Sequence, residues 1–79
     1  MKEVQLYSQP DCPPCEILKM FFKHYSISYT EYNIATDDEA KNRLLNHYHS
    51  LSTPTVVIDG VTVIGLEIDR IKQLLTITE

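Results

Sequence analysis

The hydrophobic repeat of this chain switches from a period of two to a helical period and back, and the order of those switches leaves few topologies open. Residues 3–8 alternate, with Val4, Leu6 and Ser8 on one face and Glu3, Gln5 and Tyr7 on the other, as a strand does. Gln9-Pro10-Asp11 is a turn. Pro13 and Pro14 suit the first turn of a helix, where N–H groups have no intrahelical partner to lose. Ile17, Leu18, Phe21, Phe22 and Tyr25 then fall at helical spacing, which predicts a helix from about Pro13 to Tyr25. Residues 28–34 (Ser-Tyr-Thr-Glu-Tyr-Asn-Ile) are rich in aromatic and β-branched types and read as a second strand.

Thr36-Asp37-Asp38-Glu39 matches a capping box, with Thr36 accepting from the Glu39 N–H and two further acids at the positive helix end. The helix it opens is expected to run to about His49, with Ala40, Leu44, Leu45 and Tyr48 as its apolar stripe. Residues 51–54 form a loop. Thr55–Ile58 and Val61–Ile64 flank Asp59-Gly60, a two-residue hairpin signal. Gly65 breaks the pattern, and Ile68, Ile71, Leu74 and Leu75 mark a last helix. The order is β-α-β-α-β-β-α. A right-handed crossover makes the first two strands parallel, and the last two form an antiparallel hairpin. A four-stranded mixed sheet with three helices on its two faces buries every stripe.

A chain of 79 residues is expected to form one domain over 1–79. Hydrophobic residues at 43% and charged residues at 23% are values of a globular protein, not a disordered one. The net charge of −4, with seven scattered basic residues, is a poor basis for phosphate-backbone binding, so nucleic acid is not an expected partner. No apolar run spans a bilayer, and residues 1–7 read straight into a strand without a secretory pattern. The expected location is cytoplasmic and the expected state monomeric.

The two cysteines, Cys12 and Cys15, stand in a single Cys-Pro-Pro-Cys. A bridge over three residues closes too short a loop to constrain an unfolded chain, so a structural staple is a poor reading. Zinc requires four ligands, no second cysteine pair exists, and His47 and His49 point to different sides of a helix, so no metal site is expected. The redox reading fits better. Cys12 lies just before the helix, where free N–H groups and the dipole stabilise a thiolate, the nucleophilic form. Cys15, one turn on and buried, resolves the mixed disulfide that Cys12 forms. Pro14 removes one donor to the Cys12 sulfur, and Glu16 adds a negative charge, so the Cys12 pKa should be lowered only moderately.

Thr53-Pro54 is the second element. A cis bond there would bring the Thr53 backbone beside the sulfurs, where it can pair with an extended substrate. Lys19 and His24 read as solvated surface residues, and Tyr7 as a core residue near the loop.

Leu6-Tyr7-Ser8, Cys12-Pro13-Pro14-Cys15, Thr53-Pro54-Thr55-Val56, Ile58-Asp59-Gly60 and Gly65 together resemble the glutaredoxin family over about residues 3–75. The resemblance implies a minimal thioredoxin-like α/β fold and a dithiol–disulfide oxidoreductase that reduces protein disulfides or mixed disulfides. It implies substrate contacts at Gln9, Pro13, Thr53, Pro54, Gly65 and Leu66. No cofactor is expected to be bound, and glutathione is a possible co-substrate. Many glutaredoxins carry a lysine where this chain has Gln9, an aromatic where it has Pro14, and a second glycine where it has Ile64. Gly65-Leu66-Glu67-Ile68-Asp69 instead resembles redoxins that take electrons from thioredoxin reductase. Both electron donors stay open on these residues. The alternative implied by the family is a binding module, an iron–sulfur or metalloid carrier, against which two prolines would stiffen the loop.

Overall fold

The computed structural model describes residues 3–76. The elements are β1 (Val4–Ser8), α1 (Pro13–His24), β2 (Thr30–Asn33), α2 (Asp38–Asn46), β3 (Thr55–Ile58), β4 (Val61–Ile64) and α3 (Ile68–Leu74). They form one four-stranded sheet in the order β2-β1-β3-β4. β1 pairs parallel with β2 and antiparallel with β3, and β3 pairs antiparallel with β4. This is the mixed sheet with three helices that the alternation of periods predicts.

Alternation in β1 divides the core in two. Val4 and Leu6 pack with Leu18 and Phe22 of α1, Val56, Ile58, Val63 and Ile71. Tyr7, on the opposite face, packs with Ala40 and Leu44 of α2 and with Val57. All four residues of β3 are buried, as a central strand covered on both faces requires. Asp59 and Gly60 both have positive φ, the geometry of a type I′ turn between β3 and β4.

Several boundaries depart from the sequence reading. Helix α2 is capped by Asp37, whose side chain accepts from the Ala40 N–H at 3.0 Å, and not by Thr36. Thr36 instead donates back to the Asn33 carbonyl at 3.4 Å. Both residues are competent caps; the turn that follows β2 takes up Thr36 and leaves the role to its neighbour. The same helix ends at Asn46, three residues short of His49, where the chain adopts a positive φ. Strand β2 is confined to Thr30–Asn33 because only β1 is beside it, and α1 stops at His24, just before Ser26 turns left-handed. Ile17, placed in the apolar stripe by spacing, is 51% exposed. Cys15, Leu18 and Phe22 occupy the buried face of α1, and Ile17 falls outside that arc.

Candidate active site

Cys12 is the N-cap residue of α1, in extended conformation, with Pro13 and Pro14 at the first two helical positions. Neither proline has an N–H to offer, so the first free donor of the helix belongs to Cys15. That N–H donates to Cys12 Sγ at 3.3 Å. A sulfur anion in this position meets a backbone donor and the positive helix end together. The two residues are joined as a disulfide, with their Cα atoms 5.2 Å apart. Cys15 is fully buried and Cys12 is 8% exposed. Cys12, Asp11, Pro13 and Glu16 line an open surface depression. Access from solvent is thus to Cys12 and not to Cys15.

The Thr53–Pro54 bond is cis. Thr53 Oγ1 lies 3.6 Å from Cys12 Sγ and donates to it, a side-chain contact in addition to the backbone role that sequence suggests. The loop around it is held by short hydroxyl groups. Thr55 Oγ1 donates to the Ser52 carbonyl at 2.6 Å and lies 2.9 Å from Ser50 Oγ, which accepts from the Ser52 N–H at 3.2 Å. Gly65 joins this loop to the β4–α3 turn, its N–H donating to the Pro54 carbonyl at 2.8 Å with φ at +88°. A Cβ there would meet no atom within 4 Å, so backbone conformation, and not space, favours glycine.

Cys12, Cys15, Pro13, Thr53, Pro54 and Gly65 therefore come together at one end of the sheet. Leu66 follows Gly65 and is 37% exposed. Gln9 is exposed in the loop before α1, and no hydrogen bond among the described residues ties it to either sulfur.

One set of residues near the pair was not legible as a unit. Lys19 is not a solvated lysine: its Nζ lies 2.9 Å from Glu16 Oε2 and 2.8 Å from Glu31 Oε2. Glu31 also accepts from the buried Ser8 hydroxyl at 2.6 Å. The hydrogen bonds to Glu31 and Glu16 hold the Lys19 ammonium above the usual lysine range. Those from Lys19 and then Ser8 hold the Glu31 carboxyl below the usual carboxylate range. Glu31 is on the far strand, and its alignment with Ser8 and Lys19 depends on the β1–β2 register.

A βαβ unit with a Cys-x-x-Cys at its helix start, facing a cis-proline loop, defines a thioredoxin-fold domain with a redox-competent cysteine pair. The family profile for glutaredoxin matches residues 4–63, and the chain belongs to the glutaredoxin family. Among solved structures, a variant of the thioredoxin-like protein BC3987 is 52% identical, with a TM-score of 0.94 over 99% of this chain and 100% of that one. A glutaredoxin from Archaeoglobus fulgidus is 26% identical, with a TM-score of 0.76 over 95% of this chain and 87% of that one. A glutaredoxin-like 8.6 kDa protein of the rubredoxin operon in Clostridium pasteurianum is 28% identical over 72 residues, 91% of this chain and 96% of that protein. The family is one of thiol–disulfide oxidoreductases, and this chain carries the paired cysteines that such chemistry uses. No helix among the described residues is long and apolar enough to cross a membrane.

Proposed function

We propose that the protein reduces disulfides in other proteins through Cys12 and Cys15, with a flavoprotein disulfide reductase of the thioredoxin reductase class as its electron donor. The carrying observation is the asymmetry of the pair: Cys12 lines the open depression at the helix start and Cys15 is sealed behind it. In the forward reaction the Cys12 thiolate attacks a target sulfur. The target S–S bond breaks, one target thiolate leaves and a mixed disulfide forms. Cys15 then loses its proton to a departing thiolate and attacks Cys12 Sγ. The target gains two electrons in all, and the pair becomes the Cys12–Cys15 disulfide. The donor returns the two electrons. An extended target segment can pair with the Thr53 backbone, with Leu66 and Pro13 beside it.

The choice of donor rests on charge. Asp11 and Glu16 are the charged residues that line the depression around Cys12; Asp11 repels a small anionic thiol such as glutathione, and Glu16, partly offset by Lys19, adds to it. A protein donor presents its own dithiol and can place neutral or basic groups against these acids. Insulin reduction is measured with NADPH and thioredoxin reductase, and separately with glutathione, glutathione reductase and NADPH. Turnover at least about tenfold faster with the first system is expected, a discrimination of roughly 1.4 kcal/mol. Faster turnover with glutathione overturns the assignment of the donor, and no turnover with either system overturns the reductase reading.

A further inference from the structure

We infer that Lys19, held between Glu16 and Glu31, is a positioning residue that sets the ease with which Cys15 gives up its proton in the resolving step; the inference rests on the reductase reading above. Cys15 and Lys19 are one turn apart on α1, and the Lys19 ammonium reaches across to Glu31 of β2. Helical side chains lean toward the N-terminus. The Lys19 Nζ lies 2.9 Å from the carboxylate of Glu16, the residue that follows Cys15. From the sheet side, Glu31 holds the ammonium at 2.8 Å and is itself held by the Ser8 hydroxyl at 2.6 Å. Ser8 follows Val4 and Leu6 on the face packed against α1, and it stands at the end of β1 that adjoins the start of the helix. Glu31 pairs with Leu6 and so projects to that face.

Cys15 is fully buried, and burial opposes its ionisation. A fixed cation one turn away opposes that penalty, and the two carboxylates that hold the cation offset part of its effect. The charged and titratable groups of the elements around Cys15 are Cys12, joined to it as a disulfide, Glu16 and Lys19 on its own helix, and Glu31 of β2, which Lys19 and the Ser8 hydroxyl of β1 hold in place. The described residues of α3 packed on this core are apolar, Ile68, Ile71 and Leu74. In the step concerned, the Cys15 S–H bond breaks and its proton passes to the departing target thiolate. The Cys15 sulfur bonds to Cys12 Sγ as the Cys12–target bond breaks, so electrons and atoms balance without a further reactant. Lys19 keeps its proton throughout; only its field acts.

Two substitutions break the same ion pair but leave opposite charges behind. With Cys12→Ser in the background, the ultraviolet absorbance of the Cys15 thiolate is followed against pH. Lys19→Met should move the midpoint up by about one pH unit, Glu31→Gln should move it down, and Lys19→Arg should leave it near its starting value. In the protein with both cysteines, Lys19→Met should lengthen the life of the mixed disulfide about three- to fourfold. That figure is a tenfold loss of thiolate partly offset by the greater nucleophilicity of a more basic sulfur. Shifts of Lys19→Met and Glu31→Gln in the same direction, or no shift in either, overturn the inference, because a merely structural pair moves both alike. Disulfide reduction by the unsubstituted protein is the separate control: its absence defeats the reductase reading, whereas the Cys15 titration still decides whether Lys19 acts on the thiol.

Discussion

On each face of the sheet a cation is held among partners, and the two are used differently. On the α1 face, Lys19 is bound by Glu16 and Glu31 at the reactive end of the molecule. On the α2 face, Arg43 donates to the Tyr7 hydroxyl at 2.7 Å and lies 4.7 Å from the centre of the Tyr32 ring. Tyr7 passes the chain on by donating to Gln5 Oε1 at 3.0 Å, and its ring stacks on Tyr32 with centroids 5.2 Å apart. Burial, partly opposed by Arg43, holds the Tyr7 hydroxyl above its ordinary pKa, so it is a neutral donor and acceptor at every physiological pH. The Arg43 group satisfies the hydroxyl of a fully buried aromatic residue and lies against two tyrosine rings. The lesson is that a cation packed under a sheet has its role set by its partners and its place: Lys19 is held by two carboxylates one turn along the helix from Cys15, and Arg43 by a fixed hydroxyl and an aromatic ring.

Substitutions on the two faces should separate cleanly. The largest effect is expected for Cys12→Ser, which removes the attacking sulfur and should abolish insulin reduction while the unfolding free energy in urea stays within about 0.5 kcal/mol of the reduced unsubstituted protein, since serine also caps helices. Retained turnover in that variant would assign the attack to Cys15 and reverse the roles. A smaller effect, and of the opposite kind, is expected for Arg43→Met. It should cost about 1–2 kcal/mol in chemical denaturation through the lost hydrogen bond to Tyr7 and the lost ring contact, with turnover unchanged below the melting transition. Lowered turnover at full folding would show that the α2 face reaches the site.

The smallest effect concerns acid. Glu31 has a depressed carboxyl pKa in the folded protein. Its contribution to stability is therefore fully present above the ordinary carboxylate range and is lost as pH falls through the depressed folded value. Urea unfolding followed from neutral to acidic pH should give a flatter profile for Glu31→Gln than for the unsubstituted protein. Because both partners are partly exposed, the difference should be slight. Parallel profiles would mean that solvent screens the pair.

Local chemistry accounts for most of what could be read in advance. Asp59-Gly60 encodes its turn because both positions need a positive φ, and Pro13-Pro14 encode a helix start because neither has an N–H to satisfy. Val4, Leu6 and Tyr7 reveal a sheet covered on both faces through simple alternation. What stayed hidden depended on neighbours in space. Thr36 and Asp37 are equally good caps by type, and only the path of the preceding turn decides between them. Ile17 satisfies the spacing rule and still faces outward, since the arc of contact is set by the sheet. Lys19 and Glu31 are twelve positions apart on different elements, and no pattern in the chain links them. The nearness of the Thr53 hydroxyl to Cys12 likewise follows from how the loop is folded, not from its composition.

The sulfur of Cys12 begins α1 as well as ending in the depression, because it accepts the first N–H that the helix has to give. An alanine at this position would remove a reactant and uncap a helix in one stroke, so any defect it caused would mix chemistry with folding. Serine keeps an oxygen where the sulfur was and leaves the helix a partner, which makes it the cleaner probe of what the atom does.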